Sequence, residues 1–143
     1  MDKLIRGEIT LRELSLPSEI KLSKKNLIKW LALSLGLINP GESRNGVLAV
    51  LQVMAENVNV GTPLSVDEIV RRVNKVQEMS EKNVYYHLKK LKELDIISKV
   101  GNGYVVGDGV EQNLDAILIG AYKKRISRIL ENVEEAARVL QSQ

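Results

Sequence analysis

Apolar and polar positions follow a helical period over most of this chain, most clearly from Ser80 to Leu94. Val84, Leu88, Leu91 and Leu94 recur at four-and-three spacing on one face, behind a Ser80 hydroxyl suited to cap the first turn. The opposite side carries Lys82, Asn83, Tyr85, Tyr86, Lys89 and Lys90, a mix of cations, an amide and phenols unlike the Glu/Lys alternation of a solvated helix. Upstream, Ser65 followed by Glu68 is a reciprocal capping pattern, and Val66, Ile69, Val70 and Val73 share one face of a short helix ending near Asn74 or Lys75. Only Val76 to Met79 then remains as a turn before Ser80. Downstream, Ile96–Val100 and Tyr104–Val106 are β-branched or aromatic runs around Gly101-Asn102-Gly103, which predicts a hairpin.

The flanks are helical as well. Ile9–Leu14 reads as a short helix capped by Thr10 with Glu13, and Pro17 ends it; a strand is the alternative. Ser23 caps a clearer helix that stops at Gly36, with Leu27, Trp30, Leu31, Ser34 and Leu35 as its apolar stripe and Trp30 as core filling. Asn39-Pro40-Gly41 breaks the chain. A helix beginning at Ser43 then offers Val47, Leu48, Val50, Leu51 and Met54 to the underside of the Ser80 helix. After Gly107-Asp108-Gly109 a long helix runs to near Gln141. Its Ile119, Tyr122, Ile126, Ile129, Val133, Ala136 and Leu140 alternate at three and four, a heptad seam, widened by Leu130, Ala137 and Val139. Such a seam on a small domain predicts a second copy paired through it; folding back on the Ser23–Leu35 helix is the alternative. Gly120 marks a candidate close crossing.

The run Ser80, Val84, His87-Leu88, Leu91 and Ile96-Ile97 resembles the recognition helix of small prokaryotic winged helix-turn-helix regulators of the arsenic-sensor, multiple-antibiotic-resistance and phenolic-acid types. The resemblance covers Ser43 to Val106. It departs at Asp95, where those families place Gly, and Asp can take the left-handed conformation there at some cost. The fold class implied is mainly α with a small β-hairpin wing, plus a long C-terminal dimerisation helix. Residues 1–40 then form an N-terminal helical extension, 41–108 the winged domain and 109–143 the dimerisation helix.

Composition narrows the function. The chain has no Cys, which removes disulfides, thiolate metal sites and Cys nucleophiles, and fits a reducing, cytoplasmic setting. The greasy stretch Leu27–Ile38 is too short to cross a bilayer, and no signal-peptide pattern opens the chain. Net charge is +3, and from Ser65 to Val106 eight cations face six anions. That balance permits nucleic acid without demanding it. His87, the only histidine, reads as a satisfied structural residue rather than a metal ligand. The glycine-rich stretch from Gly101 to Gly109 lacks the Lys-Ser/Thr ending of a phosphate loop. Lys123-Lys124-Arg125 with Arg128 reads as a solvated face, or as one lying near a DNA backbone. No catalytic constellation, metal set or cofactor motif stands out, so enzyme chemistry is not expected.

The resemblance implies double-stranded DNA as the partner, with the Ser80 helix in the major groove. Lys82, Asn83, Tyr85 and Tyr86 would reach base edges. Ser80, Arg71, Arg72, Lys89, Lys90, Lys99 and Asn102 would reach the backbone. A twofold homodimer would read half-sites about 34 Å apart. Glu81, close to phosphate in that arrangement, is the discordant residue. The competing readings are a protein-interaction module of a transcription, replication or chromatin assembly, and a non-specific architectural DNA binder.

Overall fold

A computed structural model describes residues 2–42, 45–58 and 62–143. Its helices are α1 Lys24–Ser34, α2 Gly46–Ala55, α3 Val66–Val76, α4 Glu81–Glu93 and α5 Leu114–Ser142. A small antiparallel sheet joins β1 Leu64–Ser65, β2 Ile97–Val100 and β3 Gly103–Val106 in the order β1-β3-β2. The architecture is mainly helical with this sheet at one side and the long α5 at the end. Among the described residues no helix is long and apolar enough to cross a membrane.

Local chemistry sets the element ends. Ser23, Ser65 and Ser80 each accept a backbone N–H with the side-chain oxygen, from Asn26, Glu68 and Asn83 respectively, which starts α1, α3 and α4. The Glu68 carboxylate does not reach back to complete a capping box. Arg71 and Arg72 lie three and four residues on and take it instead. α4 ends at Glu93, and Asp95 just beyond the Leu94 cap sits at φ 62°, the left-handed geometry that follows many helix ends, so an aspartate carries the turn here. In the β2–β3 hairpin Val100 faces Gly103, and of the two central residues only Gly101 has positive φ, the pattern of a type II′ turn. The first helix of the central domain is described from Gly46, so the Ser43 start expected from the sequence lies outside the described residues.

One core joins the middle of the chain to both flanks. Val84, Leu88 and Leu91 of α4 pack with Ile69 and Val73 of α3 and Val50, Leu51 and Met54 of α2, all essentially without exposure. Ile28, Ala32, Leu37 and Ile38 enter the same cluster from the N-terminal side, and Ile117, Leu118, Ala121 and Tyr122 enter it from α5. The inward residues of α1 are therefore Ile28 and Ala32, displaced from the Leu27–Trp30–Ser34 stripe that spacing suggests. The N-terminal segment accounts for the shift.

That segment is not helical over Ile9–Leu14; it runs irregularly along α1. Its partners hold it there: the Arg12 N–H donates to the Ser34 carbonyl at 2.9 Å, and Ser34 Oγ donates back to the Arg12 carbonyl at 2.9 Å. The Arg12 guanidinium donates to the carbonyls of Leu33 and Ile38 at 2.8 and 2.9 Å, bridging the last turn of α1 and the loop after it. Trp30 is half-buried, and its Nε1 donates to the Ser15 carbonyl at 2.8 Å, so it pins the segment instead of filling the core. Gly36, at φ 73°, leaves no room for a Cβ against the Thr10 carbonyl. A side chain there would push the segment off α1.

Candidate nucleic-acid interface

The outward face of α4 follows from its inward one. With Val84, Leu88 and Leu91 fixed in the core, helical geometry turns Lys82, Asn83, Tyr85, Tyr86 and Lys89 away from it, and all five are exposed. Among the described residues none of their side chains is engaged in an ion pair or hydrogen bond within the chain, and Tyr86 is 65% exposed. Its ring meets His87 edge-on at 5.2 Å. Ser80 is exposed at the amino end of the helix, beside Glu78 and Glu81, which are exposed as well. Lys99 and Asn102 stand exposed on the hairpin, whose Lys99 pairs in register with Tyr104.

Three cations expected at a phosphate backbone are already engaged. Lys90 donates to the Leu37 carbonyl at 2.8 Å and is half-buried, tying α4 to the loop after α1. Arg71 and Arg72 share Glu68, and Arg72 also donates to Asn57 Oδ1 at 2.8 Å. The two arginines hold the Glu68 carboxyl down to about 2, and Glu68 in turn raises Arg71. The spacing of Glu68, Arg71 and Arg72 was the sequence signal for this self-neutralisation. Lys75, exposed at the end of α3 and outside every ion pair among the described residues, is a further cation beside the turn, one that the resemblance does not pick out.

The basic cluster of α5 splits in the same way. Arg125 donates to the Glu93 carbonyl at 2.9 Å, and Arg128 lies 3.4 Å from the Asp95 carboxylate, so both cover the carboxy end of α4. Cations at a helix carboxy end oppose its negative dipole. Lys123 and Lys124 are exposed.

Beside the outward face of α4, towards α2, a groove is lined by Asn45, Gly46, Met79, Asn83, Tyr86 and His87. The His87 ring backs onto α2 so closely that a Cβ on Gly46 would lie 2.7 Å from Nε2. Contrary to the expectation of a satisfied histidine, Nδ1 is buried with no hydrogen-bond partner among the described residues. Burial and the neighbouring Lys90 ammonium both hold the imidazole below its ordinary value.

The seam residues of α5 fall into two groups. Tyr122 is buried within the chain; its hydroxyl donates to the Leu35 carbonyl at 2.8 Å, and burial pushes the phenol up to about 12. Ile126 is half-buried. Ile119, Ile129, Val133 and Leu140 are exposed, Leu140 by 75%, and Ala136 is exposed with them. Gly120 meets nothing within 4 Å, so no close crossing occurs there within the chain. Among the described residues no cluster of three His, Asp or Glu side chains could hold a metal ion. No family model, curated protein or solved structure matches the chain.

Proposed function

We propose that the chain is a winged helix-turn-helix protein that binds double-stranded DNA in a sequence-specific way as a homodimer and regulates transcription. The observation that carries this reading is the outer face of α4. It is a capped helix fixed by its buried side, with Lys82, Asn83, Tyr85, Tyr86 and Lys89 all turned outward and unengaged within the chain. In this reading α3, the turn from Gln77 to Ser80, and α4 form the helix-turn-helix, and β2–β3 is the wing.

The chemistry follows from where the charges remain free. α4 enters the major groove amino end first, with Asn83 suited to adenine, Lys82 to guanine, and the two tyrosines donating to bases or phosphates. Lys89, Lys99, Asn102 and Lys75 contact phosphates and set a salt-dependent affinity. Arg71, Arg72 and Lys90 serve the fold instead. Their engagement leaves a modest positive surface, so specificity rests on base contacts more than on bulk charge. The test is selection from a random duplex library. An enriched inverted repeat for the natural chain, relaxed by Asn83→Ala, supports the reading; retention without enrichment indicates an architectural binder.

A second reading draws on the two tyrosines of the same face. Tyr85 and Tyr86 are exposed by 45% and 65%, with Glu81 on the same helix and Glu78 in the turn before it. Exposed aromatic surface with mixed charge suits a protein partner. Absence of duplex binding at low salt would favour it.

A further inference from the structure

α5 leaves its own domain with an apolar face that nothing in the chain covers. Ile117, Leu118, Ala121 and Tyr122 dock its first turns, and from Ser127 onward every residue of the helix is exposed. Ile119, on the docked half, is nevertheless 55% exposed. It lies on the same face as Ile126, Ile129, Leu130, Val133, Ala137 and Leu140. After Asp115 in its first turn the charges along the helix are segregated: Lys123, Lys124, Arg125 and Arg128 come first, and Glu131, Glu134 and Glu135 follow, with Arg138 paired to Glu134 at 3.3 Å.

We infer that α5 pairs antiparallel with α5 of a second copy, the pairing centred between Ile129 and Leu130. This rests on the homodimer proposed above and assigns its geometry. The centre places Ile126 opposite the partner's Val133, and Ile119 opposite the partner's Leu140, so the uncovered apolar residue on the docked half meets the most exposed one near the helix end. The basic segment of each helix runs along the acidic segment of the other.

Direction is decided by what flanks the apolar face. Lys123 and Glu134 border it on the same side. Antiparallel pairing brings like flanks together, and Lys123 then lies within a turn of the partner's Glu134. Parallel pairing brings opposite flanks together, which sets Lys123 near the partner's Arg125 and leaves Glu134 facing no cation. Spacing agrees with the antiparallel form. The docked turns lie about ten residues from the centre, which puts the two domains about 30 Å apart along the helices, close to the about 34 Å between successive major-groove faces of a duplex. A parallel pair would hold the same points only about 10 Å apart.

Because the chain has no cysteine, single thiols report the pairing directly. Sedimentation of the natural full chain comes first, and a dimer is expected. Ile126→Cys and Val133→Cys should each fail to cross-link alone under mild oxidation and should cross-link when mixed, whereas Leu130→Cys should cross-link to itself. Lys123→Glu should weaken the dimer about threefold or more, and Glu134→Lys in the same chain should restore it. Self-cross-linking of Ile126→Cys and Val133→Cys, with Lys123→Glu tightening the dimer, overturns the antiparallel assignment while leaving the homodimer intact. A dimer with no cross-link at any of these positions overturns the use of this face. A monomeric natural chain overturns the pairing and the homodimer together, and leaves DNA binding by single domains to be measured separately.

Discussion

Single side chains carry much of this fold by satisfying backbone that would otherwise be orphaned. Arg12 holds the carbonyls of Leu33 and Ile38, and Arg12→Ala should cost about 1–3 kcal/mol in a denaturant melt, because the Ile38 carbonyl loses its side-chain donor in a part-buried place and the Leu33 carbonyl is left with the Gly36 N–H. Tyr122→Phe should cost about 1 kcal/mol by stranding the Leu35 carbonyl. It should also abolish a loss of stability in alkali, since the buried phenol keeps its proton to about 12 while the unfolded one releases it near 10.0. His87 gives the opposite dependence. Burial and Lys90 disfavour the imidazolium in the fold, so the unfolded chain binds the proton first as pH falls below 6.5. Stability is full above that value and declines as pH drops through the depressed folded one. Thermal melts between pH 8 and 5 check this, and His87→Phe should flatten the decline.

At the scale of elements, α4 divides into a side that folds and a side that is free. Leu88→Ala should cost about 2–5 kcal/mol, whereas Lys82→Ala and Lys89→Ala should shift stability by no more than about 0.5 kcal/mol; equal costs would mean that the outer face is part of the fold. Existence and order of the helices were legible because their apolar positions are periodic and Ser23, Ser65 and Ser80 are caps. The left-handed Asp95 and a hairpin around Gly101-Asn102-Gly103 were legible for similar local reasons, although Gly103 belongs to β3 and leaves a turn of two residues. What escaped was tertiary. Nothing near Arg12 announces that its guanidinium reaches the end of α1, and the Thr10–Glu13 pattern within Ile9–Leu14 imitates a helix cap in a segment that hydrogen bonds between Arg12 and Ser34 hold irregular along α1. β1 is two residues long and exists only because Leu64 pairs with Tyr104. At the interface, Lys82, Asn83, Tyr85, Tyr86 and Lys89 were legible as outward residues, while the retention of Lys90 by Leu37 required a contact 53 residues away.

The whole molecule couples α4 to α5. Arg125 and Arg128 cover the carboxy end of α4 through Glu93 and Asp95, and Tyr122 fixes α5 to the end of α1, so the orientation of the outward face is set by the helix proposed to pair with a second copy. Arg125→Ala combined with Arg128→Ala should loosen that link, broadening the half-site spacings that are accepted more than it lowers affinity for a single half-site, as read by a spacer series. Duplex binding itself is the most direct test of the outward face of α4. Affinity for a duplex should be measured against salt for the natural chain and for Lys89→Ala with Lys99→Ala. The natural chain should bind with log affinity falling linearly with log salt, and the substitutions should reduce the slope by about 1 for each phosphate contact removed. Absence of binding at low salt, or a slope unchanged by removing both lysines, would contradict the proposal that α4 and the hairpin bind DNA.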